Sequence, residues 1–238
     1  WAGAVRTQTP PTVRRVGLLS GFSPSAYAAS YQAFQLGLRD LGWIEGKNIS
    51  IDYRHAEGSH DRLPDLAADL VRLKVDVIVT SATSDTLAAQ KATRAIPIVM
   101  VAGGDPVANG LVQSLSRPGG NVTGLSQMLQ ALSGKRLELL KEMVPKLSRV
   151  AVFWNPRSAS ATFNWKENQQ PARQLGIQLV SLEVRNPHEL DKAFEDATSA
   201  RAGALTILPD PVLSTNLERI VDFAAKSRLP SIYQSSEF

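Results

Sequence analysis

The 238-residue chain contains no cysteine, so disulfide bonds, thiol nucleophiles and cysteine-ligated zinc are excluded. It has three histidines, His55, His60 and His188, and they lack the spacing of metal ligands. We therefore expect no metal site and no cofactor, and we interpret the connection that carries His55 and His60 as facing solvent. No stretch approaches the roughly 18 consecutive apolar residues of a membrane-spanning helix. The composition is that of a soluble globular protein.

A concentrated charge of one sign is also missing. Lysine and arginine number 26 against 22 aspartates and glutamates, and the basic residues are scattered along the chain. A protein that binds nucleic acid would be expected to gather them on one face or in a tail. We therefore predict no nucleic-acid partner.

The sequence motifs of several enzyme classes are absent. No G-x-G-x-x-G follows the first apolar run, and no G-x-x-x-x-G-K-[ST] occurs, so dinucleotide and P-loop sites have no support. The run Gly124-Leu125-Ser126 lacks the last glycine of a nucleophile elbow. Neither an acid–base pair nor an activated nucleophile is evident, and we predict that the protein is not an enzyme.

The residues that are present alternate short β-branched apolar runs with amphipathic stretches, which indicates βα units and parallel sheets. The first array has strands predicted at 15–20, 48–53, 75–80, 96–101 and 122–125. Helices are predicted between them at 27–41, 61–73, 84–93 and 109–115, the first of them stopped by Gly42.

The pattern then restarts. Ser133 is predicted to cap a helix, Asn186-Pro187-His188-Glu189 to open another, and a Thr-x-x-Glu start at Thr215 to open a third. Strands are predicted at 149–154, 177–184, 204–208 and 231–234, with further helical residues at 160–175 and 215–227. This second array ends just as a strand begins, so we expect the second lobe to be incomplete and the 238-residue chain to be less stable than a longer version.

Two successive arrays predict an α/β fold of two doubly wound parallel-sheet lobes joined by a hinge near 124–127. The predicted domains are a leader at 1–12, an N-terminal lobe at 13–124 and a C-terminal lobe at 125–238. In such open sheets, ligands bind outside the carboxyl ends of the strands. The loops at those ends are rich in small polar residues: 20–24, 81–84, 102–106, 154–158, 209–211 and 234–236. The alternative is that these residues only cap helices.

The run Gly42-Trp43-Ile44-Glu45-Gly46-Lys47-Asn48-Ile49 resembles a signature of the ABC transporter substrate-binding protein family, which includes TrpX-like tryptophan and tyrosine binders. Further resemblances follow in order along the first lobe: Arg62-Leu63-Pro64-Asp65-Leu66-Ala67, Val75-Asp76-Val77-Ile78-Val79, Ala95-Ile96-Pro97-Ile98-Val99, Asp105-Pro106-Val107 and Arg117-Pro118-Gly119-Gly120-Asn121-Val122-Thr123-Gly124. The second lobe is looser but collinear. Family members also continue past Phe238.

The resemblance implies a type I periplasmic-binding fold, export by a signal peptide to the periplasm, and delivery of a small-molecule ligand to an ABC transporter membrane permease by a monomer. Carried over by position, it implies these ligand contacts: Gly21, Phe22, Ser23, Ser81, Thr83, Ser84, Asp105, Asn155 and Asp210. The polar run Ser81–Ser84 departs from the family pattern. Two other functions stay open: a ligand-sensing regulatory domain, for which the residues before the first strand leave no room for a DNA-binding module, and an α/β enzyme.

The expected ligand is amino-acid-like or aromatic. We hypothesise that its carboxylate lies at Ser81–Ser84, because Ser84 is predicted to begin a helix whose N-terminus favours an anion. Asp105 or Asp210 would then face an ammonium or hydroxyl group, and Phe22 would pack against the apolar part. The alternative is that Ser84 only caps its helix and Asp105 only shapes a turn.

Overall fold

The computed structural model describes residues 13–127, 132–208 and 210–233. The first sheet contains β1 (Arg14–Ser20), β2 (Ile49–His55), β3 (Val77–Thr80), β4 (Ile98–Met100) and β5 (Val122–Gly124), connected through α1 (Ala28–Asp40), α2 (Leu63–Arg72) and α3 (Thr83–Ala92). A single 3₁₀ turn, His60–Arg62, precedes α2. The predicted leader at 1–12 and the loop at 234–236 lie outside the described residues.

The second sheet contains β6 (Arg149–Trp154), β7 (Gln178–Glu183), β8 (Ala204–Ile207) and β9 (Ser231–Ile232). Its helices are α4 (Ser133–Met143), α5 (Ala159–Gln174), α6 (Leu190–Ser199), α7 (Pro211–Thr215) and α8 (Leu217–Lys226), and a 3₁₀ turn, Pro187–Glu189, precedes α6. The strand orders are β2-β1-β3-β4-β5 and β7-β6-β8-β9, with every pairing parallel. The predicted pair of doubly wound α/β lobes is confirmed.

Each sheet is buried between helices, which explains why its central strands are apolar almost without interruption. In β1, the residues from Val16 to Ser20 are all buried. Gly17 lets α2 approach this strand, because a Cβ at Gly17 would lie 2.9 Å from Leu70 Cδ2. In the second lobe, Phe153 packs with Phe194 and Phe223 on one face of the sheet.

Two of the predicted helices differ from the structure. Residues 109–115 form turns instead of a helix: Leu111 and Val112 both donate backbone hydrogen bonds to Pro106 O, and Gly110 has a φ of +69°. The helix predicted from Thr215 is two helices, because Asp210 caps an earlier one. Its carboxylate accepts a hydrogen bond from Val212 N, and Pro211 fits the first helical turn.

Of the predicted helix caps, the one at Ser133 differs from the structure and the one at Asn186 agrees with it. Helix α4 begins at Ser133 itself, after Leu132, so Ser133 does not precede the helix. The Asn186 cap is confirmed: its side chain accepts a hydrogen bond from His188 N, and Glu189 accepts one from Arg185 N.

Candidate functional site

The loops at the carboxyl ends of β1, β3, β6 and β8 come together between the two lobes. Gly21, after β1, lies against Pro211 of the second lobe, and a Cβ at Gly21 would lie 2.9 Å from Pro211 Cγ. Gly58, in the connection after β2, approaches Val212, with 3.5 Å between an added Cβ and Val212 Cγ2. At Gly21, only a residue without a side chain allows so close a contact between the lobes. The place is where open α/β sheets bind ligands.

On the second lobe, Asn155 and Asp210 are both buried, and their side chains form hydrogen bonds. Oδ1 of Asp210 accepts hydrogen bonds from Val212 N at 2.9 Å and from Asn155 Nδ2 at 3.1 Å. Its Oδ2 lies 2.8 Å from Nε2 of His60, a residue of the first lobe. The two sequence-predicted residues are thus brought together by a direct hydrogen bond.

The interpretation of His60 as solvent-facing is wrong. Its side chain is 8% exposed, because the 3₁₀ turn after β2 directs it across the cleft to Asp210. Burial lowers the pKa of His60, but the hydrogen bond to Asp210 and the charges of Asp210 and Asp85 outweigh burial, so the pKa lies above its ordinary value. The nearby Arg157 opposes this rise. Nδ1 of His60 is buried and has no hydrogen-bond partner among the described residues.

On the first lobe, the carboxylate of Asp85 is completely buried and was not singled out by the sequence. Ser81 Oγ donates to Asp85 Oδ2 at 2.9 Å and lies 2.7 Å from Ser20 Oγ. Burial raises the pKa of Asp85 to about 6, against the opposing effects of Ser81, the Gly21 amide and His60. An acidic residue in the first turn of a helix is usually an exposed partner of the helix dipole, which is why the sequence signal was missed.

Ser84 does not cap α3. The helix begins at Thr83, after Ala82, and has no side-chain cap. Thr83 is buried, and its Oγ1 accepts a hydrogen bond from Gly104 N at 2.9 Å, which joins α3 to the loop after β4. In that loop, Asp105 Oδ1 accepts hydrogen bonds from the Val107 and Ala108 amides at 2.9 and 3.0 Å. The structure thus places Asp105 in a turn, apart from the contacts of Asp85 and Asp210.

Phe22 and Ser23 lie at the edge of the cleft in the first lobe. The Phe22 ring stacks on Tyr27, with 4.7 Å between ring centroids, and Tyr27 meets Tyr31 edge to face at 5.3 Å. Ser23 Oγ accepts a hydrogen bond from Ala26 N at 3.3 Å and so belongs to the turn that leads into α1.

An apolar cavity extends from this aromatic cluster to Ser81. It is lined mainly by Leu18, Tyr27, Tyr31, Phe34, Val79 and Val101. Burial raises the pKa of Tyr31 to about 12, so its phenol is neutral at physiological pH. The polar residues around Asp85 and Asp210 thus lie next to an apolar and aromatic cavity of the first lobe, and Ser81 belongs to both.

Among residues 13–127, 132–208 and 210–233, no group of three His, Asp or Glu side chains is arranged to hold a metal ion. Within the same ranges, no helix combines the length and the apolar character needed to cross a membrane.

Comparison with known proteins places this geometry in a family. The chain is 29% identical over 201 residues to the tyrosine-binding protein of Clostridioides difficile, a match that covers 84% of this chain and 57% of that protein's own length. A conserved domain protein from Vibrio cholerae has a crystal structure similar to this one, with a TM-score of 0.85 and 29% identity over 94% of this chain and 75% of that one.

A protein from Streptococcus pneumoniae, solved in complex with L-Trp, shares the fold at a TM-score of 0.83 and 22% identity, again over 94% of this chain and 75% of the other. Residues 15–238, nearly the whole chain, match the family model described as ABC transporter substrate binding protein. The resemblance seen in the sequence is thereby confirmed, and the chain belongs to the ABC transporter substrate-binding protein family.

Proposed function

We propose that this protein is the solute-binding component of an ABC importer and that it closes over one small amphiphilic molecule between its lobes. The observation that carries the proposal is the cleft itself, where a buried polar cluster from both lobes adjoins an apolar, aromatic-lined cavity. Ligand sites of this kind combine an apolar lining with a few placed polar groups that fix orientation.

The relatives support an amino-acid-like or aromatic ligand. One is named a tyrosine-binding protein and another was solved with L-Trp, and both of those molecules have a charged end and an aromatic ring. The rings of Phe22, Tyr27 and Tyr31 would receive the apolar part, since aromatic pairs favour stacked or edge-to-face contacts.

In this function the protein binds and releases its ligand without chemical change. The ligand stabilises the closed arrangement of the lobes relative to the open one, and the size of this population shift is set by its differential affinity for the two. The proposal includes delivery to an ABC permease, a location outside the cytoplasm and a monomeric state.

Mass spectrometry of molecules released from protein purified without denaturation, followed by calorimetric titration of the molecules found, tests the proposal. We expect an unmodified amino acid or aromatic acid that binds with one-to-one stoichiometry. Conversion of the molecule on incubation, or the absence of any bound solute in both measurements, would contradict it.

Two glycine variants test whether the ligand binds in the cleft. Gly21→Ala adds a Cβ 2.9 Å from Pro211 and 3.1 Å from Asp85 Oδ1, which obstructs closure. Gly37→Ala in α1 meets nothing within 4 Å and is the matched control. We expect Gly21→Ala to weaken binding by about tenfold, an effect of about 1.4 kcal/mol, and Gly37→Ala to bind as the wild type does. Equal affinities for both variants would place the ligand elsewhere.

A further inference from the structure

One oxygen of Asp85 has no hydrogen bond although the side chain is completely buried. Oδ2 is held by Ser81, whereas Oδ1 has no partner among the described residues. The backbone amide of Gly21 lies near the carboxylate without forming a hydrogen bond of normal geometry. An unsatisfied buried acceptor destabilises a fold, so its presence in a binding cleft indicates a partner that the protein alone does not supply.

The unpaired oxygen lies at the boundary between the lobes. Oδ1 is 3.1 Å from the position that a Cβ would take at Gly21, and the same position is 2.9 Å from Pro211 Cγ in the second lobe. The bond from Ser81 to Oδ2 fixes the orientation of the carboxylate and keeps Oδ1 toward this boundary. Separation of the lobes at Pro211 would therefore open Oδ1 to a ligand in the cleft.

The electrostatics of the site favour a cationic partner. In the described part of the chain, no lysine or arginine forms an ion pair with Asp85. His60, a titratable cation whose charge acts on Asp85, is hydrogen-bonded to Asp210. Although burial raises the pKa of Asp85 to about 6, the carboxyl is still mostly ionised at neutral pH. A buried negative charge without a counter-charge is strongly stabilised by a bound cation.

The other aspartates of the cleft are already engaged. Asp210 uses both oxygens within the protein, and Asp105 accepts two backbone hydrogen bonds in its turn. Asp85 also lies in the first turn of α3, where its negative charge opposes a ligand carboxylate at Ser81–Ser84. The charged end best suited to this position is thus an ammonium group.

We propose that Asp85 accepts the protonated amine of the ligand and makes the protein select amine-bearing solutes over their deaminated analogues. The inference rests on the proposed function of the cleft as a solute site. Asp85 is then a specificity-determining residue, and its unpaired oxygen receives the charge-assisted hydrogen bond that the protein leaves open.

The test compares L-tyrosine and L-tryptophan with 3-(4-hydroxyphenyl)propionate and indole-3-propionate by calorimetric titration at pH 7.5, using protein stripped of bound solute. We expect the wild type to bind at least one amino acid about tenfold or more tightly than its deaminated analogue. Asp85→Asn should lose most of this preference. Asp65→Asn, which removes the same charge from an exposed position of the same lobe, should keep it.

An unchanged preference in Asp85→Asn, or a wild type that binds the deaminated acids as tightly, would overturn the inference while leaving the proposed function standing. A wild type that binds neither member of either pair overturns the inference, and the proposed function falls only if mass spectrometry also finds no bound solute.

A pH profile keeps the inference testable if Asp85→Asn fails to fold. Between pH 7.5 and pH 5, protonation of Asp85 should weaken the binding of the amino acid by about tenfold, whereas the deaminated analogue should be little affected. Among the described residues, the titratable side chains that interact with Asp85 are His60 and Tyr31, and Tyr31 stays neutral over this range. The profile is therefore repeated in His60→Gln. The inference is overturned if the ratio of the two affinities, that of the amino acid to that of its deaminated analogue, does not change with pH in either protein.

Discussion

Asp85 and Asp210 are both buried aspartates of the cleft, yet their surroundings differ. Asp210 is surrounded by three donors, two of them from its own lobe. In the part of the chain that the structure describes, Asp85 has one side-chain donor, Ser81, and keeps an oxygen without a hydrogen bond. Asp210 thereby organises the second lobe, whereas Asp85 holds a charge that the fold does not neutralise. Active and binding sites commonly keep such a destabilised group at the expense of stability.

This difference predicts how Asp85 affects stability as pH changes. The pKa of Asp85 is raised from its ordinary value of 3.8 to about 6 in the folded protein, so the folded state binds the proton more tightly than the unfolded state does. The stabilisation of the folded state by this proton is complete below about pH 4 and is lost as pH rises through about 6. Asp85→Asn should therefore increase the free energy of unfolding at pH 8 by up to about 3 kcal/mol and give no gain at pH 4.

Urea denaturation of the wild type, Asp85→Asn and the exposed control Asp65→Asn at both pH values measures this effect. If Asp85→Asn instead has a lower free energy of unfolding than the wild type at pH 8, the effect has the opposite sign. The charged carboxylate would then stabilise the fold.

Among single residues, the sequence predicted small polar groups at the strand ends but not their partners. Asn155 and Asp210 were identified by resemblance, and they do lie together. His60 and Asp85 were missed because their importance depends on contacts between the lobes, where His60 reaches a residue 150 positions away. Local patterns carry no information about such a distance. For Asp105 and Phe22, contact with a ligand stays a prediction.

The elements were predicted more reliably than their ends. The alternation of strands and helices follows from buried parallel strands, and the sequence shows it clearly. Errors arose where two local signals competed. Thr215 and Glu218 have the spacing of a capping box. However, Asp210 caps an earlier helix, and Pro211, whose φ is already helical, is its first residue. At 109–115 a helix was predicted, but Gly110 adopts a positive φ there.

The pairing of β4 and β5 depends on Gly124, the last residue of β5, and this predicts the effect of a substitution there. Gly124 has a φ of +136°, and an added Cβ would lie 2.7 Å from Met100 N and closer still to Met100 O. Since the obstacle is backbone, neither strand can relax without breaking the ladder. We expect Gly124→Ala to lower the free energy of unfolding by about 3 kcal/mol or more.

Gly120→Ala is the control for this change, because an added Cβ at Gly120 meets nothing within 4 Å. Denaturant titration of both variants should give a change of at most about 0.5 kcal/mol for Gly120→Ala. Similar values for the two variants would show that the close approach of β4 and β5 does not constrain position 124.

At the scale of the whole molecule, two ion pairs among the described residues connect the lobes, and they differ in exposure. Arg157 and Asp61 lie 2.6 Å apart, but their side chains are 48% and 69% exposed, so the pair contributes at most about 1 kcal/mol. His60 and Asp210 lie 2.8 Å apart with 8% and 0% exposure. We infer that the buried pair dominates the polar contribution to closure.

Closure of the ligand-free protein should therefore depend on pH through His60. Its pKa is raised where it meets Asp210, so protonation favours the closed arrangement; the contribution is full below about pH 6.5 and is lost as pH rises through the raised value. The charged groups that face His60 are Asp210 from the second lobe, Asp85 from α3, and Arg157, which opposes protonation. The radius of gyration from small-angle X-ray scattering should increase between pH 6 and pH 9.

Two variants identify the group responsible. His60→Gln keeps a hydrogen-bonding side chain but cannot titrate, so its radius of gyration should not change between pH 6 and pH 9. Arg157→Ala removes the exposed pair and should keep the pH response of the wild type, because an exposed ion pair adds little. If His60→Gln responds to pH as the wild type does, another group controls the lobes. Asp85→Asn then tests the remaining buried carboxyl, since the pKa of Asp85 lies near 6 and its titration would be complete before pH 8.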